Sequence, residues 1–318
     1  MIELSTKEAF IMTETILDFN NVSKKFGRFQ ALDSVSFEIK RGDVYGLIGE
    51  NGAGKTTIMK LITKLSPLRH GSISLFGETT GHYQQALKRT GAMIESPAAF
   101  GNLTVDQNLK VIAKQNGIQS KNAIDDAISF VGLEKKRKTK AKHLSLGQRQ
   151  RLGLAFAILP HPDFLILDEP INGLDPSGII EIRKLLYKLN HERQTTILIS
   201  SHILSELYQV STKFGFIHHG KFIKQLTKAE LDKEKQSGIR LEVNDVAKAA
   251  EVLDNAKIKP FSVSNNHSIF VQTNQLDTGK LSQLLIMNGV ELNGMTKQEG
   301  SLEQYYTTLL KQTDEGEK

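Results

Sequence analysis

The chain has 318 residues, which is long enough for about two domains and a sizeable hydrophobic core. Apolar residues make up 39% and charged residues 24%, a balance that excludes disordered, collagen-like and membrane-embedded chains. With 41 Lys and Arg against 35 Asp and Glu, the formal net charge is +6, which is compatible with nucleotide phosphates, nucleic acid or anionic lipid as partners. No cysteine is present, so disulfides, thiolate metal sites and a cysteine nucleophile are excluded.

Neither a membrane span nor an export signal is predicted. No apolar run approaches the roughly 18 residues that a bilayer-spanning helix needs. The N-terminal stretch carries Glu3 and Glu8 and lacks the uninterrupted apolar segment of a secretory signal. We therefore expect a chain that is not exported, and any role at a membrane would need a separate chain.

Short apolar runs alternate with helical patterns up to about Lys224. The first two runs are typical of antiparallel strands, whereas the later continuous apolar runs, separated by helices, are typical of parallel strands buried on both faces. The predicted strands are Ile16–Val22, Val35–Ile39, Val44–Ile48, Ile73–Phe76, Ala92–Ile94, Phe164–Leu167, Thr195–Ser200 and Phe214–His218.

Helical patterns cluster in the middle of this region. Thr104 followed by Gln107 is typical of a capping box that opens a helix. Three consecutive patterns with no strand between them predict a helical subdomain at about residues 96–160. The predicted helices are Lys55–Leu65, Thr104–Gln115, Lys121–Val131, Leu146–Leu159 and two that begin near Pro176 and His202.

The pattern changes after Lys224, and the charged stretch Lys228–Lys235 indicates a domain boundary. The remainder alternates strands and helices in an order that predicts a small α+β domain, with a ferredoxin-like arrangement as a candidate. Its predicted elements are strand Ile239–Val243, helix Val246–Leu253, strand Phe261–Ser264, a turn at Asn265-Asn266, strand Ser268–Gln272, helix Leu276–Met287, a further strand and helix Leu302–Lys311.

A glycine-rich turn follows the strand Val44–Ile48 and reads Gly49-Glu50-Asn51-Gly52-Ala53-Gly54-Lys55-Thr56, a full match to G-x-x-x-x-G-K-[ST]. Between a strand and a helix, such a turn wraps phosphates with backbone N–H groups, and the helix N-terminus adds partial positive charge. Lys55 would reach the β- and γ-phosphates and Thr56 would bind magnesium. The predicted phosphate-binding residues are Gly49, Asn51, Gly52, Ala53, Gly54, Lys55, Thr56 and Thr57.

Two adjacent carboxylates end the hydrophobic strand at Phe164–Leu167. At a strand terminus both side chains can reach one phosphate site. Asp168 is predicted to hold magnesium, and Glu169 to orient and deprotonate the attacking water.

A third motif, Leu144-Ser145-Leu146-Gly147-Gln148, opens a helix between these two and resembles the signature of ABC-type ATPases, usually LSGGQ, with Leu146 in place of the first glycine. Asn172-Gly173-Leu174-Asp175 resembles the D-loop of that family, and His202 resembles its switch histidine. The order and spacing of five motifs agree over roughly residues 14–224. The resemblance implies contacts to the γ-phosphate from His202 and nucleotide contacts from Ser145, Gly147, Gln148 and Asp175.

The resemblance further implies a P-loop NTPase fold of the α/β class, with a mixed, mostly parallel sheet, an antiparallel β subdomain and a helical subdomain. We expect an N-terminal extension at 1–13, an ABC-type ATP-binding domain at 14–227 and an accessory α+β domain at 236–318. ATP and Mg²⁺ are the implied cofactors. The implied assembly is a head-to-tail ATPase dimer, of one or two kinds of chain, in which Ser145 and Gly147 contact the γ-phosphate held by the partner.

Two positions depart from the commonest family pattern. Phe26 stands where a tyrosine often stacks on adenine; a phenylalanine π-face suffices for stacking, although a buried core aromatic is the alternative interpretation. Glu95 replaces the glutamine of the Q-loop, where it would ligate magnesium while adding negative charge near the γ-phosphate. This glutamate resembles the form found in ATPases of bacitracin-resistance and lantibiotic-immunity exporters.

The resemblance therefore favours the ATP-hydrolysing subunit of a membrane exporter of peptide antibiotics or similar amphiphiles. Such a subunit is cytoplasmic, peripheral at the inner face of the cell membrane, and bound to permease subunits, with no direct contact to the transported substrate and no nucleic acid partner. The alternative is a soluble ABC-type ATPase acting on nucleic acid or the ribosome, which the basic charge alone favours.

Overall fold

A computed structural model of the chain describes residues 14–79, 82–95, 97–235, 237–265, 267–272, 277–298 and 300–316. The chain divides between Lys228 and Ala229 into two compact units. Each unit has its own cluster of buried apolar side chains. Within the described ranges, no helix combines the length and apolar character needed to cross a bilayer.

The first unit is built around a six-stranded sheet of order β5-β6-β7-β3-β8-β9. Neighbouring strands are parallel except for the β8–β9 pair, which is antiparallel. All residues of three of these strands, at Val44–Ile48, Phe164–Asp168 and Thr196–Ser200, are buried, as their continuous apolar runs predict. The strands of this unit are β1 (Thr15–Phe26), β2 (Phe29–Lys40), β3 (Val44–Ile48), β4 (His70–Leu75), β5 (Thr90–Met93), β6 (Phe164–Asp168), β7 (Thr196–Ser200), β8 (Lys213–His218) and β9 (Lys221–Thr227).

A second, three-stranded sheet of order β2-β1-β4 is antiparallel throughout, as the first two apolar runs predict. Thr104 and Gln107 form the predicted capping box at the start of a helix, and Ser145 and Gln148 form another. The helices of this unit are α1 (Lys55–Ile62), α2 (Tyr83–Lys88), α3 (Val105–Gln115), α4 (Lys121–Phe130), α5 (Leu146–Ile158), α6 (Pro176–Arg193) and α7 (Leu204–Val210), followed at the boundary by α8 (Lys228–Glu234).

The second unit contains a four-stranded antiparallel sheet of order β11-β12-β10-β13. With helices after the first and third strands, this order is the ferredoxin-like arrangement considered above. Its elements are β10 (Gly238–Val243), α9 (Val246–Asn255), β11 (Phe261–Asn265), β12 (Ser268–Gln272), α10 (Thr278–Met287), β13 (Leu292–Gln298) and α11 (Leu302–Gly316). The predicted fold class is confirmed in both units.

The sequence patterns did not predict every helix and strand that is observed. The six-residue helix α2 is too short to show a helical period, and β9 is a half-buried edge strand interrupted by lysines. The charged stretch at the boundary forms the short helix α8 rather than a plain linker. In the predicted turn Asn265-Asn266, Asn265 ends β11 while Asn266 lies outside the described residues.

Candidate active site

The sheet order places three chemically distinct segments at one edge. Strands β6, β7 and β3 are consecutive neighbours and run parallel, so their carboxyl ends meet. The glycine-rich turn follows β3, Asp168 ends β6, and Ser200 ends β7 with His202 just beyond it. Residues that lie far apart in sequence therefore share one site.

The turn after β3 has the backbone that phosphate binding requires. Gly52 and Gly54 have φ of +84° and +113°, a region that side chains rarely adopt. A Cβ on Gly54 would also lie 2.6 Å from Leu32 Cδ2 and 2.9 Å from Ala31 O, so that position admits only glycine. Because Gly54 has no side chain to cap α1, the first N–H groups of this helix remain available to phosphate oxygens.

The other predicted loop residues lie around this turn. Asn51 is exposed with Gly52 near the tip of the turn, while Gly49 and Ala53 are buried. Thr57 is half-buried in the first turn of α1. The turn thus presents backbone rather than bulky side chains to a ligand, which suits a phosphate chain.

Lys55 opens α1 with its ammonium folded against the turn. Its Nζ donates to Gly49 O at 2.7 Å and to Glu50 O at 3.2 Å, and lies 3.8 Å from Glu169 Oε1. Burial lowers the pKa of Lys55, an effect that the nearby carboxylates of Glu169 and Asp168 partly offset. A phosphate arriving here would meet a desolvated cation whose charge it would help to compensate.

Asp168 is held by two hydroxyl groups. Thr56 Oγ1 donates to Asp168 Oδ2 at 2.8 Å, and Ser200 Oγ donates to Asp168 Oδ1 at 2.7 Å. A hydroxyl and a carboxylate in contact are the oxygen donors that Mg²⁺ prefers. Thr56 and Asp168 therefore fit a magnesium ion bound through few protein ligands together with nucleotide phosphates.

Glu169, the neighbouring carboxylate, is anchored on both its backbone and its side chain. Its backbone N–H donates to Ser200 Oγ at 3.0 Å. Its Oε2 accepts from the backbone N–H of His202 at 3.2 Å and lies 2.6 Å from His202 Nδ1. The structure thus brings the predicted base and the predicted switch histidine into direct contact, beside Lys55.

Glu95 has a different partner. Its Oε1 accepts a 2.5 Å hydrogen bond from Lys60 Nζ on α1, and 64% of its side chain is exposed. Its backbone φ is +63°. In this structure the contact is with a cation rather than with Thr56 or Asp168, and the role of Glu95 as a magnesium ligand stays a prediction.

Phe26 ends β1 at a hairpin turn and is 51% exposed. Lys24 Nζ lies 5.1 Å from its ring centroid. This exposure contradicts the alternative of a buried core aromatic and leaves the ring accessible to a planar base.

The signature segment lies at a separate cleft of about 540 Å³. Ser145 and Gln148 cap α5 reciprocally, with Ser145 Oγ accepting from Gln148 N at 3.3 Å and Gln148 Oε1 accepting from Ser145 N at 3.2 Å. Gly147 and Asp175 line the same cleft. The signature and D-loop residues therefore form one surface, distinct from the set around Lys55.

Asp175 is the N-cap of α6. Its Oδ1 accepts from Gly178 N at 3.0 Å, and its Oδ2 accepts from Ser177 Oγ at 2.9 Å. The hydrogen bond from Ser177, followed by that from Gly178, lowers the pKa of Asp175. The carboxylate is thus kept ionised where the D-loop enters the helix.

Sequence reasoning missed two residues that organise the site, Ser200 and Lys60. Ser200 is a polar residue that ends an otherwise apolar strand, and that contrast was the available signal. Lys60 lies on α1, but its contact with Glu95 depends on how the helix packs, which no local pattern shows.

Comparisons with known proteins identify the family of this chain. Residues 32–172 match the family described as "ABC transporter". The bacitracin transport ATP-binding protein BcrA of Bacillus licheniformis is 39% identical over 298 residues, covering 93% of this chain and 97% of that protein. The lantibiotic transport ATP-binding protein SrtF of Streptococcus pyogenes is 42% identical over 208 residues, covering 65% of this chain and 89% of that protein. The solved structure of cbiO1 from Clostridium perfringens, part of the ABC transporter complex cbiONQ, has a TM-score of 0.62 and 26% identity, covering 70% of this chain and 92% of that chain.

Proposed function

From the membership of this chain in the ABC transporter ATP-binding family, where it is an ATP-binding and ATP-hydrolysing subunit, we propose that it powers an exporter of peptide antibiotics or similar amphiphiles. The observation that supports the site assignment is the convergence of Lys55, Thr56, Asp168 and Glu169 at the carboxyl edge of one sheet. The resemblance inferred from the motifs is confirmed, both for the family and for the subgroup that includes the bacitracin and lantibiotic transport proteins.

The substrate class is inferred from those relatives. The bacitracin transport protein matches nearly the whole chain, so the match includes the second unit as well as the cassette. The lantibiotic transport protein matches about two thirds of the chain. Both relatives are transporter subunits named for peptide antibiotics, which supports a resistance or immunity role.

The proposed division of labour follows the geometry. Lys55 and the turn bind the phosphates, Thr56 and Asp168 hold Mg²⁺, and Phe26 stacks on the adenine. Mg²⁺ supplies charge neutralisation at the phosphates. Glu169 accepts a proton from the attacking water, and His202 orients Glu169 and contacts the γ-phosphate.

Each site is completed by a second ATPase chain. Ser145 and Gly147 lie on a cleft apart from Lys55, so one chain does not present all the predicted γ-phosphate ligands at one place. We propose a head-to-tail dimer in which the signature cleft of one chain covers the nucleotide of the other. Permease subunits would hold this dimer at the inner face of the membrane and turn closure and reopening into substrate movement.

The proposal is tested by affinity purification of the chain from membranes in mild detergent, with identification of bound proteins and an assay of Mg²⁺-dependent ATP hydrolysis. Recovery of a polytopic membrane protein is expected. Recovery of only soluble or nucleic-acid-bound partners would move the function to nucleic acid or the ribosome.

The same complex tests Glu169. The variant Glu169→Gln is expected to lower turnover by about 10²- to 10⁴-fold, because the base is lost, while ATP binding is retained and a closed dimer accumulates. The exposed Glu192→Gln variant on α6 serves as the control. Unchanged hydrolysis in Glu169→Gln would remove Glu169 from the role of base.

A further inference from the structure

We propose that Ser200 is a positioning residue that sets the geometry of both carboxylates in the ATPase site. The inference rests on the site assignment of the proposed function but not on the permease or on the transported substrate. It follows from one buried hydroxyl that contacts two adjacent residues with different predicted tasks.

The first contact orients Asp168. Ser200 and Asp168 are register partners at the ends of the parallel strands β7 and β6, so their side chains leave the sheet side by side. Ser200 is fully buried, and its Oγ donates to Asp168 Oδ1 at 2.7 Å. Because Thr56 donates to Oδ2, each oxygen of the carboxylate has its own donor and the plane of the group is fixed.

The second contact holds the backbone of Glu169. This residue has φ of +50°, a left-handed backbone conformation that is unfavourable for residues other than glycine. It comes directly after β6, where the pairing of β6 with β7 ends, and its N–H donates to Ser200 Oγ at 3.0 Å. The hydroxyl thus satisfies a backbone donor that would otherwise be left at the end of the ladder.

A serine hydroxyl has one proton to donate and two acceptor sites, so both contacts form at once. The metal-side carboxylate and the base are therefore fixed by the same atom. Loss of the hydroxyl would leave Asp168 Oδ1 and Glu169 N–H without this partner. The carboxylate of Asp168 would then be held by Thr56 alone, and the backbone of Glu169 would lose the contact that fixes where its side chain begins. The turn and Lys55, which would bind the phosphates, do not depend on Ser200.

The test compares steady-state ATP hydrolysis by the purified full-length chain and its Ser200→Ala variant. We expect kcat to fall about 10- to 100-fold, the effect of losing a hydrogen bond to a charged group in a buried site, with KM for ATP changed less than about threefold. The Mg²⁺ concentration needed for half-maximal rate should rise, because Asp168 is no longer oriented.

Thr196→Val is the matched control, because Thr196 is also fully buried on β7 and its Oγ1 accepts a 2.9 Å hydrogen bond from Gly42 N at the opposite end of the strand. A general weakening of β7 would affect both variants equally, whereas a positioning role affects only Ser200→Ala. A kcat loss of the same size in Thr196→Val would overturn the proposal.

A second pair of variants covers the case in which Ser200→Ala does not fold. Ser200→Thr and Ser200→Val have nearly the same shape, and only the threonine keeps the hydroxyl. We expect Ser200→Thr to retain a higher kcat and a lower Mg²⁺ requirement than Ser200→Val. Equal values would overturn the proposal. Normal hydrolysis by a chain that recovers no permease would contradict the transporter proposal while leaving the role of Ser200 measurable.

Discussion

Two acidic residues of the candidate active site, Glu95 and Glu169, have left-handed backbone conformations, with φ of +63° and +50°. Each such conformation costs on the order of 1–3 kcal/mol and persists only where surrounding contacts hold it. Glu169 is held by Ser200 and His202, and Glu95 by Lys60. The contacts of both acidic residues thus help to hold an unfavourable local backbone conformation.

We expect Glu95→Gln to change the amount of substrate transported per ATP while leaving ATP affinity intact. The amide removes the negative charge that pairs with Lys60, in the loop predicted to approach the γ-phosphate, and it gains a hydrogen-bond donor. The exposed pair with Lys60 contributes about 0–1 kcal/mol, so the stability of the fold should change little. Transport and ATP hydrolysis are measured together in membrane vesicles that contain the permease, with the exposed Glu78→Gln variant as control. Identical coupling in Glu95→Gln and wild type would make Glu95 incidental.

At the scale of elements, Arg137 ties two helices of the helical region together. Its guanidinium contacts Asp106 in the first turn of α3, with an Nη2–Oδ1 distance of 2.6 Å, and it also pairs with Asp125 on α4. Lys110, one turn along α3, lies 2.7 Å from Asp106 Oδ2. Burial acts to raise the pKa of Asp106, but the hydrogen bonds from Lys110 and Arg137 outweigh it, and the pKa is lowered.

The lowered pKa of Asp106 gives a signed pH dependence. A carboxyl whose folded pKa lies below its ordinary value stabilises the fold fully above about pH 4, and this contribution is lost as the pH falls through the folded pKa. Asp106→Asn should therefore lower the melting temperature at pH 7, and the gap from wild type should shrink below about pH 4. Thermal unfolding across this pH range measures the gap, and Asp126→Asn on α4 is the control. A gap that stays constant with pH would show that the charge of Asp106 does not stabilise the fold.

Elements with strong local signals could be predicted from the sequence. The capping box at Thr104 and the continuous apolar strands β3, β6 and β7 carry their information within a few residues. Helix α2 and strand β9 could not be predicted, because one is too short for a period and the other is stabilised by its pairing with β8. The phosphate turn was predictable for the same reason as the caps, since its glycines are required by the local backbone.

At the scale of the whole molecule, the sequence predicts the residues of the site better than the contacts between them. Lys55, Asp168 and His202 were identifiable by motif. These residues lie close together because β6, β7 and β3 are neighbours in the sheet, an order that differs from the order of the strands along the chain. The contact of Ser200 with Asp168 also depends on that order, because the two residues are register partners on neighbouring strands. Long-range pairing of this kind leaves no local periodicity to read.

The two units have separate hydrophobic cores, which leads to a prediction for the stability of the second unit. Leu285 on α10 is fully buried in the core of that unit, whereas its neighbour Ile286 is 60% exposed. Leu285→Ala should destabilise the second unit by about 2–5 kcal/mol, because it removes buried methyl groups and leaves a cavity. Ile286→Ala should change stability by less than about 0.5 kcal/mol.

Chemical denaturation and ATP affinity, measured on the same samples, check this prediction. We expect Leu285→Ala to keep wild-type ATP affinity, because all the predicted phosphate and magnesium ligands belong to the first unit. A parallel loss of ATP affinity would show that the two cores unfold as one.

The surroundings of Lys55 also bear on covalent labelling. Burial lowers the pKa of this ammonium, which raises the fraction present as the free amine before a phosphate compensates its charge. An ATP analogue with an acyl group on its terminal phosphate would bring an electrophilic carbon to Nζ. Attack by the amine would break the bond between the acyl carbon and the phosphate oxygen, leaving a stable amide on Lys55 and releasing ATP and a proton. The phosphate turn therefore contains its own point of covalent attachment, and a mass tag on Lys55 would report nucleotide occupancy in intact membranes without any turnover.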